Sequence, residues 1–467
     1  MVVQDPELLQ GLVERASRPD FARFQAQLRS SGNCAHPVLL KGHIETRDGQ
    51  GQRRVWSTAT EPDGVLRKAC GNRREAVCRP CAERYRQDAY HLIAAGVRGG
   101  KGIPDTVAGH PLVFVTLTAP SFGLVHAHAA GPDGKPRRCR PRRDAPVCAH
   151  GNRLSCAQTH GPDDPCLGEP LCPDCFDYDG AVVWNNLLGE LWRRTTIYLP
   201  RQLAGLLQVT QKRVHELVRV SYTKVAEYQA RGLVHIHAVI RLDRAMPAYR
   251  ADQLLAPDAA FTTELLERAI RDAVAAVSAP VPDELGAGTV RWGDQLDVHA
   301  LTANERRQVA GYLAKYATKS TERAGGLLHR IAATDVEIAP VREHVRTYLR
   351  RAHQLAEHAP ERRLAATAHA FGYRGHCLTK SRRYSTTFMA LRHAREQHVR
   401  DRLAGSDDES QRALAEAEPN DRIASFSYAG SGHLTTADAF LAASAAARAR
   451  ENRRTAREAR REERIAC

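Results

Sequence analysis

The sequence predicts an α+β fold with an antiparallel pair of strands near its centre. Residues 111–118 form an almost unbroken apolar, β-branched run, which is the pattern of a buried central strand. Two more strand patterns, at residues 217–228 and 233–241, lie on either side of a short turn. Gly232 supplies the tolerance of positive φ that such a turn requires. We therefore expect these two strands to pair as a hairpin.

Helical patterns follow the hairpin and complete the α+β assignment. Residues 262–277 place apolar side chains on one face at helical spacing. Thr302 and Glu305 have the spacing of a capping box, so a second helix is expected to begin there and to run to about Ser320. Residues 446–464 are rich in Arg and Glu, which predicts a charged helical tail.

The chain carries a large excess of positive charge. Its 467 residues include 68 Lys and Arg against 53 Asp and Glu, which gives a formal net charge of +15 and a pI of about 9.5. Such an excess suits a polyanion, because each phosphate that is neutralised releases condensed counterions. A ribosomal or membrane-surface partner fits the charge equally well. Charge therefore indicates a class of partner and not an activity.

Neither a secretory signal nor a membrane span is recognisable in the sequence. The first twenty residues lack a basic segment followed by an apolar core, and no apolar run reaches the length of about 18 residues that a membrane span needs. We therefore expect a cytoplasmic protein with no membrane partner. In that compartment its twelve cysteines are expected to be metal ligands or free thiols rather than disulfides.

Ten of the twelve cysteines lie between residues 34 and 175, in two groups. Each group contains a C-x2-C knuckle, in which two thiolates can converge on one ion, so each predicts a tetrahedral Zn²⁺ site. The predicted ligands are Cys34, Cys70, Cys78 and Cys81 in the first group, and Cys148, Cys156, Cys172 and Cys175 in the second. His36 is an alternative to Cys34, and the second group offers six cysteines and two histidines for four places. Scattered reduced cysteines are the alternative to both sites.

Two segments combine basic residues with features of a nucleic-acid contact. Residues 135–143 hold six basic residues and two prolines in nine positions, which predicts an irregular basic loop for phosphate contacts. Residues 375–387 place basic side chains beside Tyr384, which suits backbone contact combined with base stacking. The candidate DNA contacts are Arg137, Arg138, Arg140, Lys380, Arg382 and Arg383. The alternative in each case is a solvated turn, with the tyrosine packed in the second.

The second strand of the hairpin carries a candidate site for a divalent metal. His235 and His237 are two apart on a strand, so they lie on the same face. Glu227, across the turn, is the acid best placed to complete a set of two imidazoles and one carboxylate that leaves room for a phosphate oxygen. An H-x-H pair arises easily by chance, and the chain contains a second copy at His126 and His128, which we interpret as a surface feature.

The helix after Thr302 carries a stripe of four polar side chains. Tyr312, Lys315, Tyr316 and Lys319 follow the i, i+3, i+4, i+7 pattern and therefore share one face. A lysine beside a tyrosine favours the phenolate and can steady a phosphate, so the stripe suggests a phenol that acts as a nucleophile. The alternative is an amphipathic helix whose tyrosines pack and whose lysines face solvent.

Three segments together resemble the motifs of a known superfamily. In chain order they read FVTLTAPS (114–121), GLVHIHAVI (232–240) and YLAKYATK (312–319). They resemble the three motifs of rolling-circle replication initiators of the HUH endonuclease superfamily. The Y-x3-Y-x2-K spacing of the third segment resembles the branch with two active-site tyrosines.

Further segments are similar to one type of initiator within that superfamily. The zinc-rich front end, CGNRR (70–74), WNNLLGELWRRT (184–195) and GHCLTKSRRYSTT (375–387) are similar to the RepSA type found in actinobacterial plasmids and integrative elements. The likeness extends from about Cys34 to about Arg395. It implies a relaxase-like central antiparallel sheet with helices on one side, together with zinc-bound insertions in the N-terminal part.

The resemblance also implies a reaction. One tyrosine attacks a phosphodiester at the double-strand origin, which yields a 5′-phosphotyrosine and a 3′-OH primer for rolling-circle replication, and the second tyrosine serves strand transfer. Carried over by position, the ligands of Mg²⁺ or Mn²⁺ are His235 and His237, the nucleophiles are Tyr312 and Tyr316, and the phosphate contacts are Lys315 or Lys319. Glu227 as third ligand and the order of the two tyrosines stay open. The expected DNA is single-stranded at the nick.

The absence of a Walker A motif from the sequence adds an expectation about partners. G-x4-G-K-[ST] does not occur, so the chain is expected to depend on a host helicase and DNA polymerase. A conjugative relaxase or single-strand transposase of the same superfamily is the neighbouring alternative. A zinc-stabilised DNA-binding regulator without nuclease activity is the alternative from another class.

The motifs suggest four regions. Residues 1–105 are expected to form an N-terminal zinc-binding region, and residues 106–330 a nuclease domain with a second zinc insertion at about 135–180. Residues 331–400 are expected to be a basic helical DNA-binding region. Residues 401–467 are expected to comprise a loop-rich segment and the charged helical tail.

Overall fold

A computed structural model describes residues 5–47, 53–131, 133–250, 253–404 and 422–466 of the chain. It divides the chain into two compact units. The terminal unit comprises Met1–Asp88 and Thr387–Cys467, and the central unit comprises Ala89–Thr386. None of the helices in the described part of the chain has both the length and the apolar character needed to cross a bilayer.

The secondary structure mixes helices and strands, as the α+β prediction requires. The helices of the described residues are α1 (Pro6–Ser17), α2 (Phe21–Ser30), α3 (Arg79–Arg98), α4 (Tyr178–Leu207), α5 (Gln211–Leu217), α6 (Thr263–Ala276), α7 (Ala303–Tyr316), α8 (Glu343–His358), α9 (Leu364–Thr367), α10 (Phe388–Ala404) and α11 (Thr436–Ala466). The strands are β1 (Val38–Arg47), β2 (Arg53–Ser57), β3 (Leu66–Lys68), β4 (Leu112–Leu117), β5 (Ala129–Ala130), β6 (Pro136–Arg137), β7 (Val218–Tyr228), β8 (Val234–Arg244), β9 (Ala279–Pro280), β10 (Thr289–Val290), β11 (Leu296–Ala300), β12 (Leu378–Lys380) and β13 (Arg422–Ser431).

The terminal unit is built from both ends of the chain. Its sheet has the order β13-β1-β2, and β3 also pairs with β1. A buried ion pair joins the two ends, because Arg15 on α1 donates to Asp438 on α11 at 2.7 Å and also contacts Asp63 at 3.0 Å. The C-terminal segment therefore contributes a strand as well as the predicted helix. Residues 405–421, part of the expected loop-rich segment, lie outside the described residues.

The central unit holds a five-stranded antiparallel sheet in the order β11-β4-β8-β7-β12. The predicted hairpin is β7 and β8, which occupy the middle of this sheet. One face is apolar and is part of the main core, to which β4 and β8 contribute Val113, Val115, Ile236 and Ala238. Side chains alternate along a strand, so the odd-numbered residues of β8 lie on the other face. This second face carries the predicted site.

Helices pack on both faces of this sheet, so the expectation of helices on one side is wrong. On the apolar face, Trp192 of α4 packs edge-on against Tyr222 of β7, with ring centroids 5.1 Å apart. On the other face, Tyr312 of α7 packs edge-on against Phe114 of β4 at 6.1 Å. Both faces of the central strands are therefore covered, which agrees with the continuous apolar pattern of residues 111–118.

The observed units differ from the expected regions at two boundaries. The first unit boundary falls at Asp88, within α3, instead of at residue 105. Residues 331–386 are part of the central unit, because β12 extends its sheet by pairing with β7 and the helices α8 and α9 belong to the same unit. Residues 331–386 are therefore in the same compact unit as the central sheet, and a DNA-binding role for residues 331–400 stays a prediction.

Candidate active site and metal centres

The two histidines of the predicted metal site lie on the central strand of the sheet. His235 is opposite Glu227 on β7, and His237 is opposite Val225 on β7 and Thr116 on β4. Because β8 has a neighbour on either side, the backbone that carries both imidazoles is held by hydrogen bonds along both edges. The sheet therefore presents the two imidazoles and the carboxylate on one rigid face.

Both ring nitrogens of His237 have a partner. Its Nε2 lies 2.9 Å from Oε2 of Glu227, and its Nδ1 lies 3.1 Å from Oγ1 of Thr116. His237 is buried, with 5% of its surface exposed. The hydroxyl of Thr116 therefore holds the ring so that Nε2 faces the carboxylate, and metal-binding histidines are commonly oriented by such a hydrogen bond to the other ring nitrogen.

His235 has a buried ring nitrogen that is unsatisfied. Its Nε2 has no hydrogen-bond partner among the described residues, although the ring is largely buried. Burial, with a smaller contribution from the charge of His237, lowers the pKa of His235 to about 3. The imidazole is therefore neutral near pH 7 and has a lone pair available, which is the form that binds metals.

These three side chains suit a divalent cation in kind. Two imidazoles and one carboxylate are a recurrent ligand set for divalent metals with open positions. The unsatisfied Nε2 of His235 and the carboxylate beside His237 are the donors that such an ion requires. This set is not one of the four groups of described residues whose ligand atoms all lie within 4.8 Å of one another. The sequence-predicted residues are thus brought together, but less tightly than the cysteine groups.

The C-terminal part of α7 places both tyrosines beside His237. The helix begins with the predicted capping box between Thr302 and Glu305. Ring centroids of Tyr312 and Tyr316 both lie 5.6 Å from that of His237, Tyr312 edge-on and Tyr316 stacked at an interplanar angle of 30°. The two phenol rings are 4.8 Å apart. The predicted helix and strand therefore meet, and the meeting brings both tyrosines beside His237.

The two lysines of the stripe accompany Tyr316. The ammonium nitrogen of Lys315 lies 5.9 Å and that of Lys319 lies 5.5 Å from the Tyr316 ring centroid. Tyr312 is 43% exposed, and Tyr316 is partly buried. The ring of Tyr316 is thus close to two positive charges and to the imidazole of His237. A phosphate group bound here would meet both.

The first cysteine group converges as the sequence predicts. Sγ atoms of Cys34 and Cys78 are 3.7 Å apart, those of Cys70 and Cys81 are 3.7 Å apart, and those of Cys81 and Cys34 are 3.6 Å apart. Four sulfurs bound to one Zn²⁺ at about 2.3 Å stand about 3.8 Å apart, whereas a disulfide has about 2.0 Å. Hydrogen bonds from Cys34 and Cys81 lower the pKa of Cys78 below its usual range, which favours a thiolate.

The second group converges with one different member. Cys148, His150, Cys172 and Cys175 bring their ligand atoms within 4.8 Å of one another. Nδ1 of His150 lies 3.3 Å from the sulfur of Cys175 and 3.8 Å from that of Cys172. Cys156, which the sequence analysis placed in this set, does not belong to it. The local spacing Cys148-x-His150 brings the histidine to the knuckle, and Cys156 lies elsewhere.

Cys156 belongs to a third group that the sequence analysis did not identify. His126, Cys139, Cys156 and His160 also bring their ligand atoms within 4.8 Å, and His160 forms a further group with Asp164 and Cys166. His126 is half of the H-x-H copy interpreted as a surface feature, so this interpretation is wrong for His126. The signal that identifies it is the number of cysteines and histidines between residues 126 and 175, which exceeds the needs of one site.

The predicted DNA-contacting residues differ in their surroundings. Arg137 and Arg138 are exposed, whereas Nε of Arg140 donates to the carbonyl of Val125 at 2.8 Å. Arg382 is exposed and Arg383 is partly buried.

The segment around Lys380 is tied to the protein. Its ammonium donates to the carbonyls of Ser381, Arg382 and Ser385 at 3.0–3.3 Å. Tyr384 is fully buried, so it is packed in the protein and its ring is not available to stack on a base. The structure therefore agrees with the alternative interpretation of this tyrosine.

A buried asparagine that was not predicted from the sequence supports the hairpin. Asn185 on α4 is fully buried; its Nδ2 donates to the carbonyl of Gly232 at 2.9 Å, and its Oδ1 accepts from the amide of Val234 at 3.2 Å. Nδ2 also donates to the carbonyl of Phe371 at 2.9 Å. One amide group thus fixes the backbone immediately before His235. An Asn-Asn pair inside an otherwise apolar helix is the sequence signal that could have indicated it.

Comparisons with known proteins identify the family. The family model described as "RepSA: Replication initiator protein, pSAM2" matches residues 20–447. The chain belongs to this family. A "Replication initiator protein" of Streptomyces ambofaciens is 42% identical over 473 residues, which cover 97% of this chain and 96% of the relative. No solved structure gives a significant match. The RepSA-type resemblance inferred from the sequence motifs is thus confirmed.

Proposed function

We propose that this RepSA-family initiator nicks and rejoins DNA at the origin of its own replicon through a tyrosyl-5′-phosphate. The observation that carries the proposal is the meeting of α7 with β8, where the rings of Tyr312 and Tyr316 lie beside His237. DNA synthesis needs a 3′ primer end, and a nick in one strand at the origin is one way for an initiator to supply it. Two phenols, two lysines and a candidate metal site on one face are the groups that such a reaction uses.

The proposed step is a transesterification at phosphorus. The phenol of Tyr312 or Tyr316 gives up its proton as its oxygen attacks the scissile phosphodiester, and the bond between phosphorus and the 3′ oxygen breaks. The product is a 5′-phosphotyrosine and a 3′ oxygen, which takes up a proton to become the 3′-OH primer. The reverse attack by a 3′-OH rejoins the strand and releases the tyrosine. No redox partner or nucleotide cofactor enters the balance.

Each side chain has a role in this step. Lys315 and Lys319 place positive charge near Tyr316, where it offsets the charge of the phosphate and of the phenolate. Thr116 orients the ring of His237 through Nδ1. The more exposed Tyr312 is accessible to an incoming strand, which suits the second transfer when a replicated circle is closed.

The residues that would hold a catalytic cation are His235, His237 and Glu227. When bound, Mg²⁺ or Mn²⁺ acts as a Lewis acid on a phosphate oxygen. The buried face of the sheet excludes water around His237, and the neutral form of His235 keeps its lone pair available.

We also propose structural Zn²⁺ at two cysteine groups. The sulfur separations of Cys34, Cys70, Cys78 and Cys81 match a tetrahedral site of four thiolates in the terminal unit. Cys148, His150, Cys172 and Cys175 form a set of three thiolates and one imidazole in the central unit. A site with four thiolate or imidazole donors favours Zn²⁺ over Mg²⁺, because Mg²⁺ prefers oxygen ligands.

The proposed reaction defines the partners. The substrate is origin DNA, single-stranded at the nick, and the net charge of +15 suits that polyanion. The sequence has no Walker A motif, so unwinding and synthesis are assigned to a host helicase and DNA polymerase in the cytoplasm.

A covalent-adduct assay tests the proposal. The full-length protein is incubated with Mn²⁺ and single-stranded oligonucleotides that tile the DNA beside its own gene, and the products are separated on a denaturing gel. We expect a shifted, covalent band that is lost in the Tyr312→Phe/Tyr316→Phe double variant. Tyr249→Phe is the matched control, because Tyr249 is 80% exposed and belongs to no part of the site. His235→Ala and His237→Ala should each abolish the metal-dependent band.

The other outcomes identify the alternatives. Tight binding without an adduct on any tile would leave a zinc-stabilised DNA-binding regulator as the better description. An adduct that persists in the double tyrosine variant would exclude these phenols as nucleophiles. Adducts at a transfer origin or transposon end, and none at the replication origin, would indicate a relaxase or transposase.

A further inference from the structure

We propose that His126, Cys139, Cys156 and His160 form a third structural zinc site and that the ion fixes the basic loop 135–143 in place. This site of two thiolates and two imidazoles is separate from the group of Cys148, His150, Cys172 and Cys175 in the same insertion. The insertion between β4 and α4 therefore holds two ions. The metal-binding part of the proposal does not depend on the nuclease activity.

The distances between the four side chains match a zinc tetrahedron. Zn²⁺ binds nitrogen at about 2.0–2.1 Å and sulfur at about 2.3 Å, so a tetrahedral site separates two nitrogens by about 3.3 Å and a nitrogen from a sulfur by about 3.6 Å. Nδ1 of His126 lies 3.2 Å from Nε2 of His160, and the sulfur of Cys156 lies 3.5 Å from the same Nε2. All four ligand atoms lie within 4.8 Å of one another.

A carboxylate determines which nitrogen of His160 is available. Nδ1 of His160 lies 2.9 Å from Oδ2 of Asp164, so the proton of the ring is held on Nδ1 and the lone pair lies on Nε2. Nε2 is the atom that faces His126 and Cys156. A carboxylate behind a metal-bound histidine is the usual second shell of a zinc site. The same contact argues against an ion on the other side of the ring, beside Cys166.

The site is closed by backbone contacts as well as by side chains. The amide of Ala127 donates to the sulfur of Cys139 at 3.2 Å, which is a common contact of zinc-bound thiolates. His160 is 2% and Cys156 8% exposed, so these two donors are shielded from water, whereas His126 and Cys139 are partly buried. Without an ion, the buried sulfur of Cys156 and the buried Nε2 of His160 would have only weak contacts with the other members of the group.

The proposed ion would hold the basic loop at its middle. Cys139 is the fifth of the nine residues 135–143, and the next residue, Arg140, exchanges two backbone hydrogen bonds of 2.9 Å with Cys156. The loop is therefore attached to the opposite segment at two consecutive positions, once by backbone pairing and once by the metal. The side chains that stay exposed around this attachment are Lys135, Arg137, Arg138, Arg142 and Arg143.

The same segment contacts the turn that leads to the candidate active site. The amide of His126 donates to the carbonyl of Glu169 at 2.8 Å, and the amide of Gly168 donates to the carbonyl of His126 at 2.9 Å. Gly168, at a φ of +84°, lies against the backbone of Ala230, so closely that a Cβ would stand 2.2 Å from the carbonyl carbon. Ala230 lies in the β7–β8 turn, five residues before His235. The ion thus anchors the loop to the hairpin that carries the histidines.

Metal counting on the full-length protein tests the site. We expect native mass spectrometry to find three zinc ions per chain, and elemental analysis to agree. Cys156→Ser and His126→Ala should each reduce the count to two. Cys166→Ser should leave three, because the sulfur of Cys166 lies 3.2 Å from Nδ1 of His160 but 3.9 Å from Nε2, the proposed ligand atom. Loss of an ion from Cys166→Ser with retention in Cys156→Ser would overturn the assignment. A wild-type protein with two ions and none at this group would do the same.

Thiol protection covers the case in which a variant fails to fold. In the wild-type protein, Cys139 and Cys156 should resist alkylation until a chelator is added, and peptide mapping should then find both modified. Cys377 is buried but belongs to none of these groups, so it is the internal control. Its alkylation should increase with denaturant and not with the chelator. Alkylation of Cys139 and Cys156 at the same rate with zinc and with chelator would refute the proposal.

Discussion

Replacing Asp243 by Asn is expected to destabilise the central unit strongly, because the carboxylate compensates a fully buried arginine. Asp243 and Arg241 lie at the far end of β8 and both are 0% exposed. Asp243 accepts from Arg241 Nε at 2.7 Å and from Ser221 at 2.6 Å, and its Oδ1 lies 2.8 Å from Nδ1 of His110. The substitution removes the charge and leaves Arg241 with neutral carbonyl acceptors. Breaking one partner of such a pair costs about 3–5 kcal/mol.

The upper part of this range applies, because a second guanidinium depends on the same carboxylate. Arg219 lies 3.6 Å from Asp243, and burial lowers the pKa of Arg219, so its charge is also poorly solvated. For a unit of this size a loss of 1 kcal/mol lowers Tm by about 2–4 °C, so we expect a decrease on the order of 10 °C.

Tryptophan fluorescence during thermal unfolding is the assay, because Trp184, Trp192 and Trp292, three of the four tryptophans, lie in the central unit. Asp258→Asn is the matched control. Asp258 pairs with Arg244 at 4.0 Å, and both side chains are more than half exposed, so its loss should change stability by less than about 1 kcal/mol. Equal shifts of Tm in the two variants would refute the argument from buried charge.

Four further expectations follow from single contacts. The pKa of Asp243 is lowered to about 2, since burial, which acts to raise it, is outweighed by hydrogen bonds from His110 and Arg241. The resulting stabilisation of about 2 kcal/mol is present above the unfolded pKa of about 4 and is lost as the pH falls towards 2, so the difference in urea unfolding between wild type and Asp243→Asn should narrow by about that amount; an unchanged difference would contradict this. Thr116→Val should weaken Mn²⁺ binding about 10- to 100-fold, measured by calorimetry, with Thr118→Val as control; equal affinities would contradict the orienting role. Asn185→Leu leaves three backbone groups unpaired and should cost at least about 2 kcal/mol in urea unfolding, and an unchanged midpoint would refute this. Arg137→Gln/Arg138→Gln should lower the slope of log K against log salt for single-stranded DNA by about 1.4, and an unchanged slope would remove both from the interface.

Local patterns were sufficient to predict the parts of the fold that depend on neighbouring residues. The hairpin of β7 and β8 follows from two strand patterns and Gly232, whose φ is +82°. The start of α7 follows from the capping box at Thr302. Both depend on residues within about one turn or one hairpin of each other, so no tertiary information was needed. Their meeting at the site came from the motif resemblance and not from periodicity.

Features that depend on distant pairings could not be predicted. Leu40 pairs with Tyr428 in the terminal sheet, across almost the whole chain, and no local pattern encodes that choice. Likewise, the cysteine group that Cys156 joins depends on its backbone pairing with Arg140 and not on its spacing from the other cysteines in the sequence. Lys380 has the sequence context of a DNA contact, but its ammonium donates to three backbone carbonyls of the turn around it. The residue composition of this segment does not predict that these carbonyls converge.

The two halves of the candidate site differ in how they are held, and this determines which substitutions report on chemistry. His237 is 5% exposed, lies on a strand paired on both sides and has a partner at each ring nitrogen, so its replacement alters packing and hydrogen bonding as well as metal binding. Tyr312 and Tyr316 lie in the last two turns of α7, and Tyr312 is 43% exposed. Tyrosine-to-phenylalanine changes keep the ring contacts with His237 and remove only the hydroxyl. Loss of the adduct in the tyrosine variants is therefore direct evidence on the nucleophile, whereas loss in the histidine variants requires a separate metal titration and an unfolding measurement before it can be assigned to the cation.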